Sequence, residues 1–180
     1  MHFSNYFYTK TLKFDLINKF YYTDLKKLPS LKQITLNFSC KTTELKTLAT
    51  HLIALELISN QKGIVTISKH PNLLLKIRKG NPSGCKITLR KNSMMNFLSK
   101  SLNETLPKIK NFNGIMTHQK VEKRNALSFS IKDTLTFSEL GEHYYLFNSL
   151  SNLNLSFVTK VNTKEELLFL LKSLQLPLRS

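Results

Sequence analysis

Four segments of the chain alternate apolar and polar residues with a period of two, and this alternation restricts the fold more than any other feature. They are residues 34–39, 85–90, 127–132 and 153–157. Successive side chains of a strand point to opposite faces of a sheet, so each segment predicts a strand with one apolar and one polar face. Two further strands are expected at residues 63–68 and 74–78.

Helical periodicity lies between and beside these strands. Apolar residues recur at spacings of three and four in residues 9–20, 43–59, 92–106 and 163–174. The third helix is expected to stop at Pro107, and the fourth opens with a capping box from Thr163 to Glu166. Helices with an apolar stripe pack on the apolar face of a sheet. The predicted fold class is therefore α+β, with two layers, a mostly antiparallel sheet and helices on one face.

The polar face of this predicted sheet carries hydroxyls, amides and cations, and no carboxylate. Its residues include Thr35, Asn37, Ser39, Lys86, Thr88, Arg90, Ser128, Ser130 and Lys132. Such side chains donate hydrogen bonds to phosphates, riboses and base edges without repelling them. No aromatic stacking pair faces outward, unlike the face of an RNA recognition motif. The face opposite the helices is expected to bind RNA; a plain solvated face remains the alternative, although it would normally include Asp or Glu.

The charge of the chain also indicates a polyanionic partner. The formal net charge is +16, and residues 63–132 hold eleven Lys and three Arg against Glu104 and Glu122. A solvated face would intersperse both signs, whereas here acids are nearly missing. The hydrophobic fraction of 41% argues against a disordered basic tail.

Several classes of protein are disfavoured by what the sequence lacks. Cys40 and Cys85 are the two cysteines, which is too few for a disulfide framework or a cysteine-rich zinc site, and they are expected to be buried thiols. The five histidines are scattered, and neither HExxH, GxSxG nor GxxxxGK[ST] occurs. No apolar run is long enough for a membrane span, and the N-terminus resembles neither a secretory signal nor a transit peptide. We therefore expect no catalytic residue, metal, cofactor or membrane partner.

The chain is expected to form one domain over residues 1–180, because no repeat or linker stands out. A basic projecting loop is expected at about 69–84, KHPNLLLKIRKGNPSG, which is punctuated by Pro and Gly. Long connections in compact domains are usually functional or ordered by a partner. The cations of this loop are Lys69, Lys76, Arg78 and Lys79.

Residues 74–90, LLKIRKGNPSGCKITLR, resemble the central signature of the bacterial-type ribosomal protein number five of the large subunit, the family that binds 5S rRNA. Further stretches resemble the family in the same order along the chain: LPSLKQITLN, SNQKGIVT, FLSKSLNETLPKIKNFNG, SFSIKDTLTFSEL and the C-terminal LSFVTKVNTKEELLFLLKSLQLPL. Gly63 stands where the family has Pro, and residues 115–126 match poorly. The resemblance covers about 150 residues and suggests a divergent member.

The resemblance implies a structural constituent of the large ribosomal subunit. Members bind 5S rRNA and large-subunit rRNA in the central protuberance beside neighbouring proteins. They approach P-site tRNA through the loop after the second strand, and they contact small-subunit ribosomal protein thirteen in an intersubunit bridge, placed here near residues 137–150. The expected rRNA contacts are Asn37, Gln61, Lys62, Lys86, Thr88, Arg90 and Lys132. The expected tRNA-proximal cations are Lys69, Lys76, Arg78 and Lys79.

Two other functions and the compartment remain open from the sequence. An RNA-processing or RNA-modifying enzyme would need an acid cluster or a cofactor loop, and a membrane-surface protein would favour an amphipathic Lys-rich helix with exposed aromatic residues. Lys far outnumbers Arg, and Asn, Ile, Leu and Phe are abundant, as in A+T-rich coding. The expected location is the mitoribosome in the mitochondrial matrix, with a plastid or the bacterial cytoplasm as alternatives.

Overall fold

The computed structural model describes residues 6–22, 24–40, 44–74, 77–116 and 125–179. The helices are α1 (Lys13–Phe20), α2 (Leu45–Ser59), α3 (Lys91–Lys100), α4 (Leu106–Lys108), α5 (Ser138–Gly141), α6 (Tyr144–Phe147) and α7 (Lys164–Ser173). The strands are β1 (Ser30–Ser39), β2 (Ile64–Ile67), β3 (Pro82–Leu89), β4 (Ile115–Met116), β5 (Ala126–Ile131), β6 (Leu153–Lys160) and β7 (Leu178–Arg179). Turns of π-helix cover Tyr8–Leu12 and Ser101–Thr105, and 3-10 turns cover Leu25–Lys27 and Thr134–Thr136.

Five strands form one antiparallel sheet in the order β2-β3-β1-β6-β5. Strands β4 and β7 form a separate two-residue parallel pair. The four segments with period-two alternation all lie in the large sheet, because burial of every second side chain stabilises an extended strand. The predicted α+β class with a mostly antiparallel sheet is confirmed.

The chain forms two compact units. Unit 1 comprises residues 1–34, 90–129 and 156–180, and unit 2 comprises residues 35–89 and 130–155. The unit boundaries fall inside β1, β5 and β6. The expectation of one domain over residues 1–180 stays a prediction.

In unit 2, helix α2 packs on the apolar side of the strands. The imidazole of His51 meets the buried ring of Phe38 edge-on, with centroids 5.2 Å apart. The thiol of Cys85 donates to the carbonyl of Leu48 at 3.6 Å. The helix therefore covers the face that Phe38 and Cys85 share, and the polar side chains between them point away from it.

Unit 1 contains the capping box expected at the start of the last helix. The Thr163 hydroxyl accepts a hydrogen bond from the Glu166 amide at 3.3 Å, and the Glu166 carboxylate accepts from the Thr163 amide at 3.3 Å. Helix α7 then packs near α1, where Phe20 and Phe169 meet edge-on at 5.7 Å. Local sequence thus sets where this helix begins, and the aromatic contact stabilises its position.

The expectation that a helix ends at Pro107 is wrong. The backbone continues through the π-helical turn Ser101–Thr105, in which the Leu106 amide bonds to the Ser101 carbonyl, and into α4. Pro107 lies in the first turn of α4. The proline has no amide hydrogen and makes no bond to an earlier carbonyl, and the helical backbone ends one residue later, at Lys108.

Candidate nucleic-acid interface

The polar face of β1 and β3 is present in unit 2 as the alternation predicts. On β1, Leu36 and Phe38 are buried, whereas Asn37 between them is partly exposed. On β3, Cys85, Ile87 and Leu89 are buried, whereas Lys86 is exposed and Thr88 is partly exposed. Three of the predicted rRNA contacts, Asn37, Lys86 and Thr88, therefore project from neighbouring strands on the side away from α2.

A short turn brings two more predicted residues to this face. Helix α2 ends at Ser59, and its C-cap residue Asn60 has a left-handed φ of 52°. The Glu56 carboxylate accepts a hydrogen bond from the Gly63 amide at 2.9 Å. The Gln61 side-chain amide then donates to the Thr88 carbonyl at 3.4 Å. Lys62 is exposed beside it. The structure thus gathers Gln61, Lys62 and Thr88, which lie up to 27 positions apart in the chain.

An apolar residue that sequence reasoning missed also lies on this face. Ile64 of β2 pairs with Lys86 of β3, and cross-strand partners share a face of the sheet. Its side chain is 63% exposed. Each phase of the alternation in Ile64–Ile67 contains an apolar residue, so the sequence alone did not indicate which side chains face outward. The register with β3 decides this. We call Gln61, Lys62, Ile64, Lys86 and Thr88, together with Asn37, the sheet patch.

Arg90 and Lys132 are not joined to the sheet patch by any described contact. Arg90 follows β3 within unit 1, where its Nε and Nη2 groups donate to the Gln33 side-chain oxygen at 3.3 and 3.1 Å. Lys132 directly follows β5, which ends the sheet order at the opposite edge from β2. Both side chains are exposed. The bond to Gln33 fixes the Arg90 guanidinium and leaves further donors of its five N–H groups for another acceptor.

The basic loop is a hairpin connection between β2 and β3. The Ser68 and Asn81 backbones bond at 2.9 Å near its base. Asn72 and Ile77 form an isolated bridge further out, with bonds of 2.8 and 3.0 Å. The cations Lys69, Arg78 and Lys79 are exposed, whereas Lys76 lies outside the described residues.

Two expectations for this loop are corrected. The expected strand at residues 74–78 is absent from its described residues, because Leu74 lies in a turn and Ile77 makes only the isolated bridge to Asn72; residues 75 and 76 lie outside the described part of the chain. The Asn72 side chain accepts from the Leu74 amide at 3.1 Å, a local bond that favours reversal of the chain. The loop also ends before the expected position 84, since β3 begins at Pro82. Leu73 and Leu74 are 92% and 95% exposed beside the cations.

The buried titratable groups of unit 2 serve packing rather than catalysis. Burial and the neighbouring Cys40 thiol raise the pKa of the Cys85 thiol to about 12. Burial likewise raises the pKa of Cys40. Both thiols are therefore protonated at neutral pH and are poor nucleophiles. Among the described residues, no three His, Cys, Asp or Glu side chains are placed to hold a metal ion, and no described helix is long and apolar enough to cross a membrane.

One segment of unit 2 differs from the sheet patch in charge. Residues 133–155 contain Asp133, Glu139 and Glu142 but neither Lys nor Arg. Helix α6 exposes three consecutive large side chains, Tyr144, Tyr145 and Leu146. Acidic side chains repel a phosphate backbone, and exposed aromatic residues are typical of protein interfaces. A signal for it is visible in the sequence, because residues 133–180 hold four Lys or Arg against five Asp or Glu, in contrast to residues 63–132.

Comparison with known proteins identifies the family. The model for the C-terminus of the ribosomal L5 protein family matches residues 82–178. Large ribosomal subunit protein uL5m of Reclinomonas americana is 38% identical over 95% of this chain and 94% of its own length. Large ribosomal subunit protein uL5c of Stigeoclonium helveticum is 36% identical over 92% of this chain and 91% of its own.

A bacterial relative matches along nearly the same length. Large ribosomal subunit protein uL5 of Clostridium acetobutylicum is 34% identical over 90% of this chain and 89% of its own. These matches confirm the resemblance noted from the sequence and the expectation that the chain is not an enzyme. The chain therefore belongs to the uL5 family of large-subunit ribosomal proteins, which are structural components of the ribosome with rRNA and other ribosomal proteins as partners.

Proposed function

We propose that the sheet patch binds 5S rRNA and large-subunit rRNA in the central protuberance. The observation that carries this proposal is the hydrogen bond from Gln61 to the Thr88 carbonyl, which holds Lys62 beside the polar face of β3. Lys62 and Lys86 are exposed, and the patch has no carboxylate. Cations neutralise phosphates, while amides and hydroxyls set the register on the RNA.

The sheet patch acts by binding and not by a reaction. Lysine ammonium groups release counterions from RNA and supply affinity that depends on salt. Asn37 and Thr88 offer hydrogen bonds to base edges and to 2′-hydroxyls. The 2′-hydroxyl is the group that distinguishes RNA from DNA. Ile64 provides an apolar contact for a ribose or base face. Arg90, which follows β3 in unit 1, and Lys132, which follows β5 in unit 2, are proposed as further rRNA contacts.

The basic hairpin connection between β2 and β3 is proposed to approach P-site tRNA. Its cations Lys69, Arg78 and Lys79 are exposed on a segment closed by backbone bonds at Ser68 and Asn72. Lys76 lies outside the described residues, and it is included in this proposal because the sequence places it in the same loop. The exposed Leu73 and Leu74 let the tip make apolar contact beside the charge-assisted contacts.

Residues 137–150 are proposed to contact small-subunit ribosomal protein thirteen in the intersubunit bridge, beside neighbouring proteins of the central protuberance. The support is the change of surface chemistry there: Glu139 and Glu142 lie close in sequence to the exposed Tyr144 and Tyr145. Tyrosine is enriched in protein interfaces. An acidic segment favours a basic partner surface and disfavours RNA.

The compartment is proposed to be mitochondrial. The relative from Reclinomonas americana carries the name uL5m, and Lys strongly exceeds Arg in this chain. Sedimentation of a native mitochondrial extract tests this proposal. We expect the protein to co-migrate with the mitochondrial large subunit; recovery only in plastid or bacterial ribosomes contradicts it.

The sheet patch is tested by titrating the full chain into 5S rRNA at several salt concentrations. We expect the double variant Lys62→Ala, Lys86→Ala to bind more weakly and to reduce the slope of log K against log salt by about 0.9 per lysine. The control is Lys164→Ala, Lys172→Ala, which removes two exposed lysines from α7. Equal slopes for the two double variants contradict the proposal. Binding of the wild type to large-subunit rRNA alone reassigns the patch to that RNA.

A further inference from the structure

A second exposed surface lies on the N-terminal helical segment of unit 1. Four exposed residues of this segment, Tyr6, Lys10, Phe14 and Asn18, follow one another at spacings of four, and the exposed Tyr21 caps the C-terminal end of α1 with a left-handed φ of 48°. Residues at these spacings lie on the same face of a helix. We call these five residues the aromatic stripe. Its three rings are 52%, 60% and 85% exposed for Tyr6, Phe14 and Tyr21.

The opposite face of the same segment is anchored in the core, which fixes the direction of the stripe. Leu12 and Leu16 are fully buried, and the Tyr8 hydroxyl donates to the Pro29 carbonyl at 2.8 Å. The buried face of this segment therefore makes the apolar contacts that hold it to the protein, and the aromatic stripe takes no part in them. Three large aromatic side chains left in water are unfavourable for a free protein unless a partner covers them.

The chemistry of the stripe matches unpaired nucleotides. An exposed aromatic ring offers a face on which any base can stack. Lys10 lies between Tyr6 and Phe14 and can neutralise a phosphate, and Asn18 can bond a base edge. The exposed Asp15 is adjacent in sequence to Phe14 and lies three residues before Asn18, so it borders the stripe at its Asn18 end.

We propose that the aromatic stripe is a second RNA-binding surface, which holds unpaired nucleotides of rRNA by stacking. It uses residues of unit 1, whereas the sheet patch lies in unit 2. The stripe differs in charge from the segment with Tyr144 and Tyr145: Lys10 lies between two of its rings, whereas Glu139 and Glu142 precede those tyrosines, and a cation favours RNA over a basic protein surface. A membrane surface is disfavoured because the continuous apolar face of the helix is already buried in the protein.

The experiment uses the absence of Trp from the chain. The variant Phe14→Trp places one fluorophore on the stripe and retains an aromatic ring. We expect a 12-nucleotide oligouridylate to quench its emission, and a blunt RNA duplex to leave the emission largely unchanged at equal phosphate concentration, because paired bases are not available for stacking. Equal quenching by both RNAs, or none by either, overturns the proposal.

Affinity provides a second test, performed in the Lys62→Ala, Lys86→Ala background to remove the contribution of the sheet patch. We expect Phe14→Ala and Tyr21→Ala each to weaken oligouridylate binding roughly 5- to 150-fold, the range for loss of one stacked base. Leu25→Ala is the control, because Leu25 is exposed and aliphatic. An unchanged affinity for both aromatic variants overturns the proposal, whatever the outcome for the sheet patch. If anionic phosphatidylserine vesicles shift the emission of the Phe14→Trp variant and RNA does not, the stripe is assigned to a membrane surface instead.

Discussion

The imidazole Nε2 of His51 accepts a hydrogen bond from the backbone amide of Ser151 at 3.0 Å, although the two residues lie 100 positions apart. The other ring nitrogen, Nδ1, donates to the Thr47 carbonyl one turn earlier in α2. A carbonyl only accepts, so Nδ1 carries the proton and Nε2 is free to accept. This buried side chain links α2 to the segment that follows the exposed tyrosines of α6.

The first prediction concerns this link. His51→Ala should lower the free energy of unfolding by about 2–4 kcal/mol, because it leaves the Ser151 amide unpaired and removes the ring from Phe38. Hydrogen exchange should show faster exchange of the Ser151 amide with little change in β3. The control Lys46→Ala alters an exposed residue of the same helix and should change stability by less than about 0.5 kcal/mol. Retained protection of Ser151 in the His51 variant contradicts the assigned bond.

The second prediction concerns the close approach of β3 to β1. A Cβ on Gly84 would lie 2.2 Å from the Phe38 carbonyl oxygen. The backbone of β1 or β3 would have to move to relieve this overlap. Gly84→Ala should therefore destabilise the protein by about 1–3 kcal/mol or prevent folding. Gly141→Ala is the matched control, because its nearest contact would be 3.8 Å and it lies in a helix. If chemical denaturation gives both variants the stability of the wild type, the close approach at Gly84 is contradicted.

The third prediction concerns the buried thiols. Burial and the Cys40 thiol raise the pKa of Cys85 from 9.0 to about 12. The unfolded thiol loses its proton near 9.0 while the folded one retains it, so the unfolded state binds fewer protons between these pH values. This contribution to stability is complete below about pH 9 and declines as the pH rises towards 12.

Two measurements check the behaviour of the thiols. Iodoacetamide at about pH 8 should label Cys40 and Cys85 slowly in the native protein and rapidly in denaturant. The decline in the free energy of unfolding between about pH 9 and 12 should be smaller in Cys85→Ala than in the wild type, a comparison that corrects for other groups that titrate there. Rapid labelling of native protein is incompatible with buried, protonated thiols.

The fourth prediction concerns Arg90. Its guanidinium is held by two bonds to Gln33 and is exposed. Arg90→Ala should weaken binding to the rRNA target by about 1–3 kcal/mol if the group makes a specific contact. Gln33→Ala should have a smaller effect, because it removes only the positioning of the guanidinium. An Arg90 variant with the affinity and salt slope of the wild type removes Arg90 from the interface.

The fifth prediction concerns the start of α7. Thr163→Ala removes the acceptor for the Glu166 amide and should cost about 1 kcal/mol of stability. Thermal or chemical denaturation checks this value, with Lys164→Ala at the exposed neighbouring position as the control. Equal stability of the two variants is the result that contradicts the capping role.

The local elements of this protein follow from short-range sequence patterns. The alternation in residues 34–39 and 85–90 predicts strands with one polar face, and both are strands with that burial pattern. The capping box at Thr163 predicts the start of α7, and the structure has it there. The family could also be identified from motifs in order along the chain. These features are local or collinear, so they do not depend on how the chain is folded back on itself.

Contacts between distant segments could not be predicted in the same way. Ile64 faces the same side as Lys86 because of the register of β2 with β3, whereas each phase of the alternation in Ile64–Ile67 contains an apolar residue. The bond between His51 and Ser151 depends on the position of a loop 100 residues away. The described part of residues 74–78 is not a strand, because Leu74 lies in a turn and Ile77 pairs only with Asn72.

The α+β class, most helices and strands, the basic character of the surface and the uL5 family can all be read from the linear chain. Each of these depends on periodicity, composition or motif order, which need no tertiary contact to be visible. Three relationships become known only in the folded molecule: Gln61 bonds to the Thr88 carbonyl, Arg90 is held by Gln33, and Tyr6, Phe14 and Tyr21 are exposed together. Cross-strand register and helix docking fix these relationships, because they determine which of several apolar or polar faces is buried.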